Sequence, residues 1–311
     1  MRRPIALAGV LLTAACSGSR PAAAPPTSTG APSTARQTST TVVAPSGPPF
    51  PLTGLPSDDP TTLSRPALSI KVDNAPAARP QAGLNAADVV TEELVEGGLT
   101  RFFATYQSQD APLVGPVRSG RLVDADLLRE LGGGIFAYSG AAAGELAVIR
   151  ASSGALLLSP DAGDAGFHRD LSRPAPSNLF TATPDLYRAG LARSPSLTAP
   201  PPLFTFDPRP PAGGPGSSVA VTFSGAANAV WSWSAATGSY SRVEDGSAHL
   251  LADGQQVTAT DVVIMSVGVR PSGFVDVGRN PVPAVIVIGS GPCWVLRDGI
   301  VEQGRWQRAD P

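Results

Sequence analysis

Apolar residues follow three rhythms along the chain. Residues 5–15 form a continuous apolar run of eleven, and residues 17–50 carry almost no large apolar side chains. From 51 to 194 strand and helix rhythms alternate. Leu68, Ile70 and Val72 recur every second position, which predicts a strand. Val123, Leu127, Leu128 and Leu131 recur at helical spacing and run into Gly132-Gly133-Gly134, a glycine helix end followed by the strand-like IFAYS. Residues 144–151 read as a short helix. Thr183-Pro184-Asp185 supplies an N-cap, an early proline and an early acid for a helix ending near Arg193.

Residues 195–217 are rich in Pro and Gly and read as a linker, with a short strand at 203–206. Beyond them the helical period vanishes. SVAVTFS, AVWSWS, SYSRVE, TDVVIMSV, AVIVIG and CWVLR are β-type runs separated by turn pairs such as Thr237-Gly238, Asp245-Gly246, Asp253-Gly254 and Asp298-Gly299. The predicted fold class is α+β, a mixed α/β N-terminal domain over 51–194 followed by a smaller all-β domain over 218–311.

The N-terminal run changes its meaning once charge is added. Arg2 and Arg3 precede it and Ala14-Ala15 precede Cys16, the layout of a signal peptide over 1–16. Spanning a bilayer takes about 20 residues, so this run is too short to be a transmembrane helix. It resembles a bacterial lipoprotein signal in which Cys16 is acylated, with Thr13 where leucine is commonest. Residues 17–50, with seven prolines and no acids, then read as a disordered tether with a reach of roughly 30 to 35 Å. The expected location is extracytoplasmic, on the outer face of the cytoplasmic membrane, with the lipid on Cys16 as the membrane contact.

The formal net charge is −2, and removing Arg2 and Arg3 takes it to −4, so nucleic acid is not an expected partner. Lys71 is the sole lysine, which excludes Ser-x-x-Lys and phosphate-loop motifs elsewhere. Once Cys16 is lipidated, Cys293 has no cysteine to pair with. His168 and His249 have no ligand-like spacing around them, so no metal site and no cofactor are predicted. Ser139-Gly140 is a weak nucleophile elbow lacking its first glycine, and Cys293 with His249 is a weak cysteine-nucleophile pair. Both read better as structural residues.

The densest chemistry lies in TEELVEGGLTRF, residues 91–102. If 86–96 is a helix capped by Asn85, Glu92 and Glu96 stand about 6 Å apart along it, within reach of two-carboxylate glycoside chemistry. If Gly97-Gly98 is a two-residue hairpin turn, they stand about 13 Å apart along one strand face, with Arg101 diagonal to both. The β-like LTRFFATY favours the hairpin, with Glu96 opposite Leu99 and Leu94 opposite Arg101. Further polar residues gather in predicted loops: Asp73-Asn74, Arg79, Arg118-Ser119-Gly120-Arg121, His168-Arg169-Asp170 and Asn178. The candidate ligand-binding set is Asp73, Asn74, Arg79, Glu96, Arg101, Arg118, Ser119, Arg121 and Asn178; no catalytic residue is assigned.

In this order and spacing, VDNAPAARPQAGL, AADVV, EGGLTRFFA, GPVRSGR and SNL resemble the YerB-like lipoproteins, a bacterial envelope family. WSWSAATGSYSR, ATDVVIM and VLRDGIVEQGRWQR extend the likeness through the second domain. The resemblance implies an extracytoplasmic lipoprotein with an α/β domain and a distinct C-terminal β domain, and it supplies no activity. His168 stands where the pattern has an aromatic residue, and Ser177 where it has a histidine, so neither is a dependable base. The expected function is a non-catalytic binding or scaffold module for a wall glycan, a peptide or an envelope protein. The alternative is a hydrolase of envelope polymers using Glu96 or Glu92 with Asp73. The residues lean against catalysis without deciding it.

Overall fold

A computed structural model describes residues 47–57, 59–276 and 278–309. Cys16, the signal segment and nearly all of 17–50 lie outside the described residues. A short helix α1 (Pro60–Ser64) is capped by Asp59, whose carboxylate accepts from the Thr61 N–H. It leads into a five-stranded sheet made of β1 (Leu68–Asp73), β2 (Val89–Leu94), β3 (Thr100–Tyr106), β4 (Ile135–Ala137) and β5 (Leu156–Leu158), in the order β2-β3-β1-β4-β5. β1, β4 and β5 run parallel, and β3 is antiparallel to both of its neighbours. Two helices, α2 (Val123–Glu130) and α3 (Ala143–Ser152), flank β4 in the chain; a small hairpin, β6 (Phe167–Arg169) with β7 (Leu179–Thr181), precedes α4 (Thr183–Arg193).

Every residue of β1 and β3 is buried, because the sheet is covered on both faces. Alternation sends Leu68, Ile70, Val72, Phe102 and Ala104 to one face, where they pack with Leu186 and Tyr187 of α4. On the other face Phe103 and Phe136 meet Leu127 and Leu128 of α2 and Ile149 of α3. The helical spacing read from Val123 onward thus buries one stripe of α2.

From Gly214 onward the named elements are all strands. They are β8 (Gly214–Pro215), β9 (Ser218–Ser224), β10 (Ala227–Ser234), β11 (Ser239–Glu244), β12 (Ser247–Ala248), β13 (Thr258–Ala259), β14 (Asp261–Met265), β15 (Gly268–Val275), β16 (Pro281–Ile286), β17 (Gly289–Arg297) and β18 (Ile300–Arg308). One sheet runs β12-β11-β10-β9 with β13 on β11, a second runs β14-β17-β18-β8, and β15 and β16 form a separate hairpin. The Asp245-Gly246 and Asp298-Gly299 pairs both have positive φ at both residues, the backbone of a tight hairpin turn. The fold is α+β, with helices confined among the described residues to positions before 194.

Three local expectations differ from the structure. The Glu-rich hairpin exists, but its register is Leu94 opposite Thr100 and Glu93 opposite Arg101, one residue from the two-residue turn. Val95 donates its N–H to Leu99 O (2.8 Å) and Glu96–Gly98 winds into a 3-10 turn with both glycines at positive φ, so the connection is longer than Gly-Gly. A one-residue slip exchanges faces, so Glu92 and Arg101 fall on opposite sides of the sheet. Thr183 does not cap α4: Ala182 is the cap residue, and the Thr183 hydroxyl accepts from the Ala111 N–H (2.8 Å) instead. Residues 203–206 form no strand, since Leu203 donates its N–H to Pro51 O and packs on the core.

The core of the β sheets is small, with Tyr240, Val262 and Leu296 its only fully enclosed apolar cluster among the described residues. The first-domain cores reach across instead. Leu251 and Val257 belong to the cluster under α4, and Val287 belongs to the cluster under α2 and α3. Gly144, at the start of α3, leaves room for the Phe274 ring of β15, which a Cβ there would approach to 2.1 Å. With apolar burial shared in this way, the described chain should unfold in one cooperative step. Scanning calorimetry is expected to give equal calorimetric and van't Hoff enthalpies, whereas two resolved transitions would mean that the halves fold independently.

Candidate functional site

The parallel strands β1, β4 and β5 end along one edge of the sheet, the place where open α/β sheets hold ligands. Asp73 closes β1 there and Ser139 follows β4, while Arg101 lies at the start of the antiparallel β3. The 115–121 loop crosses the same edge, pinned when Arg118 donates its N–H to Lys71 O (2.8 Å) and Ser139 donates its N–H to Arg118 O (2.9 Å). It feeds into α2, whose Asp124 carboxylate accepts the Arg121 N–H (2.6 Å).

Glu96 is the hub of this edge. Arg121 grips it with a two-pronged contact, Nε at 2.8 Å from Oε2 and Nη2 on Oε1, and Arg101 Nη2 adds a third at 2.8 Å. Arg101 Nη1 also donates to Ser119 O (3.0 Å), and its Nε stands 4.0 Å from Asp73. Arg118 Nε donates to the other Asp73 oxygen at 3.0 Å. Burial alone would raise the Glu96 carboxyl, but the Arg121 hydrogen bonds and the charges of Arg101 and Arg121 outweigh it and hold it down at about 2. Glu145, fully buried in α3, faces Arg121 at 3.9 Å, and burial pushes its carboxyl above the usual range.

Beneath this layer lies a second cluster on the same sheet face. Lys71 is fully buried, with Nζ on the Glu93 carboxylate and 2.7 Å from Asp124. Burial drives the Glu93 carboxyl up to about 7 against the pull of the Lys71 ammonium, and the Asp124 charge adds to the rise.

The opposite sheet face carries a charge seam to the β sheets. Arg242 Nη2 takes both Glu92 oxygens at 2.9 Å, and its Nη1 bonds Glu244. Asn74 Nδ2 donates to Glu244 (2.7 Å) and to Thr100 Oγ1 (2.8 Å). Arg79 reaches Glu244 (2.5 Å) and Asp245 (2.7 Å). His249 lies with Nδ1 against Arg242 and 3.0 Å from Glu244, while its Nε2–H donates to Gln81 Oε1 (2.8 Å). Burial would raise the Glu244 carboxyl, but the His249 hydrogen bond and the Arg242 charge bring it to about 2. Asn85, the cap of the helical alternative, instead latches the two halves by donating to Gln256 O and accepting the Thr258 N–H.

The candidate residues therefore separate. Asp73, Glu96, Arg101, Arg118, Ser119 and Arg121 meet at the sheet edge; Asn74 and Arg79 belong to the seam; Asn178 accepts from Arg169 (2.8 Å) beside the β6–β7 hairpin. The seam partners Gln81, Arg242, Glu244 and His249 were not in the predicted set, nor were Lys71, Glu93 and Asp124. A lone lysine inside an apolar alternation was the available signal for Lys71. Both His249 nitrogens are committed to the seam, so it serves neither Ser139 nor Cys293 as a base. The carboxylates of the hydrolase alternative are all in ion pairs, Glu92 with Arg242, Glu96 with two arginines and Asp73 with Arg118. A Glu96 held near 2 has no proton to donate at neutral pH.

Fold and site together define a two-domain α+β protein whose halves are joined by buried ion pairs. The chain belongs to the DUF3048 family: residues 52–196 match the family's N-terminal domain and residues 219–311 its C-terminal domain, both described as "Protein of unknown function (DUF3048)". Over 133 residues it is 39% identical to a protein of Bacillus subtilis (strain 168) named "Putative lipoprotein YerB", a match that spans 42% of this chain and 39% of that relative's length. A crystal structure of the YerB protein from Bacillus subtilis is similar with a TM-score of 0.73 at 25% identity, over 83% of this chain and 87% of that one. The motif resemblance to YerB-like proteins and the α+β class stand on these matches.

Two predictions follow from the ion pairs. Arg242→Ala leaves Glu92 and Glu244 buried and facing each other, and should lower stability by about 3 to 5 kcal/mol in chemical denaturation. Arg188→Ala, which breaks an exposed pair within α4, should change it by about 0 to 1 kcal/mol. Glu96 and Glu244, with folded values near 2, lend stability that is present above about pH 4.5 and lost as the pH falls toward 2. Glu93, raised to about 7, acts in the opposite sense: its contribution is complete below about pH 4.5 and is lost as the pH rises through 7. Stability measured between pH 5 and 8 should therefore decline in the native protein and flatten in Glu93→Gln.

Proposed function

We propose that the chain is a non-catalytic binding module of the bacterial cell envelope, anchored at the outer face of the cytoplasmic membrane by a lipid on Cys16 and carried on the 17–50 tether. The anchor rests on the signal-like pattern before Cys16 and on the lipoprotein name of the Bacillus relative. The binding role rests on the arginines at the sheet edge. Arg101 and Arg121 are turned inward onto Glu96, with Glu145 also within 3.9 Å of Arg121, whereas Arg118 meets only Asp73. Arg118 is the most accessible member: only its Nε is used on Asp73, and its side chain is 29% accessible where Arg101 and Arg121 are at 7% and 5%. A rigid edge with one available fork suits an anionic or hydroxyl-rich ligand, such as a wall glycan, a wall peptide or a protein partner.

Titrating the purified mature chain with soluble wall fragments tests the reading. Binding without release of cleavage products is expected, weakened about tenfold by Arg118→Ala, the loss of a charged hydrogen bond. Undiminished binding by that variant, or turnover of the fragments, would sink the proposal.

A further inference from the structure

β5 is the last strand of the first-domain sheet, and two side chains guard its outer side. Leu156 donates its N–H to Gly134 O (2.8 Å) and Leu158 O accepts from the Tyr138 N–H (3.2 Å), so both bond toward β4. Alternation then points the Leu157 N–H and C=O away from the sheet. Arg193 Nη1 donates to Leu157 O (3.3 Å) and to Asp164 Oδ1 (2.5 Å), while Asp164 Oδ2 accepts the Ser159 N–H (2.8 Å). The ion pair covers the carbonyl of Leu157 and leaves its N–H without a partner among the described residues.

Beside it opens a cavity of about 490 Å³, within the range of small-ligand sites. Tyr138, Ala155, Leu156 and Leu157 give it an apolar wall, and Arg150 and Arg193 line it with Asp164. Two guanidiniums against one carboxylate leave a positive excess. Arg150, exposed near the end of α3, makes no ion pair with any described carboxylate. The cavity runs along β5, from Ala155 before it to Ser159 after it, and shares no lining residue with the Glu96 cluster.

We infer that this cavity binds a short extended peptide with a free C-terminal carboxylate. The peptide lies against β5, accepting the Leu157 N–H with one of its carbonyls, setting small side chains against the Leu156–Tyr138 wall and placing its carboxylate on Arg150. An inorganic anion would satisfy Arg150 but leave the outward Leu157 amide unused, so the edge favours a peptide. The inference narrows the binding-module reading and rests on it only for the ligand's origin in the envelope.

The test is calorimetric titration of the mature chain with N-acetyl-trialanine, as the free acid and as the C-terminal amide, together with hydrogen exchange at the Leu157 amide. The acid should bind about tenfold more tightly than the amide and slow exchange at Leu157. Arg150→Ala should remove that preference, Arg150→Glu should weaken the acid further, and Arg188→Ala, exposed on α4, should bind as the native chain does. Equal binding of acid and amide, an Arg150→Ala variant that behaves like the native chain, or unchanged exchange at Leu157 overturns the inference. Loss of acid binding in Arg118→Ala but not in Arg150→Ala overturns the cavity assignment while leaving the sheet-edge reading intact. No saturation by the acid, with wall fragments still bound, overturns this inference alone.

Discussion

Arg242 carries a positive charge from the β sheets into the first domain, where it is 1% exposed and clasped by Glu92 from one half and Glu244 from the other. A charge so far from water is tolerable only with its partners in place, so the pair dictates how β11 meets the β2–β3 hairpin. Asn74, Arg79 and Gln81, all just after β1, join the same seam, and the conformation of that loop follows from the docking. The small core of the β sheets makes the seam more consequential, since Leu251, Val257 and Val287 find their apolar neighbours in the first domain.

With the seam formed on one face of the sheet, the other face is free to organise a second set of charges. Lys71, Glu93 and Asp124 are sealed below, and Glu96 with its arginines closes the layer above. Glu92, Glu93, Glu96 and Asp73 are each engaged by a guanidinium or an ammonium. Arg118 on the sheet edge is partly accessible, and Arg150 beside β5 is exposed.

The hairpin at residues 89–106 marks where sequence reasoning met its limit. Alternation and the β-rich LTRFFATY identified two strands and Gly97-Gly98 identified a turn. The register depended on whether the glycines formed the turn alone or as part of a five-residue connection. Gly98 lies against Ser224, whose hydroxyl donates to Gly98 O (2.5 Å), so the turn is shaped partly by a contact more than a hundred residues away. One residue of slip moved Glu92 to the seam and left Glu93 beside Lys71, exchanging the environments of neighbouring glutamates. Asn74 and Arg79, read as ligand candidates from their loop positions, are partners of Glu244, which lies more than 160 positions away.

By itself the sequence determined what depends on near neighbours: the alternation of β1, the apolar stripe and glycine end of α2, the span of α4, the Asp-Gly turns and the change from mixed to all-β texture. Its motifs also determined the family, because GPVRSGR and EGGLTRF are specific combinations. Only the tertiary structure decided which charges meet. Glu92 and Arg242 are 150 positions apart, and so are the requirements that pair them. Local propensity sees side-chain type and spacing, whereas ion pairing in the interior depends on which surfaces exclude water together, and that is settled when the two halves dock.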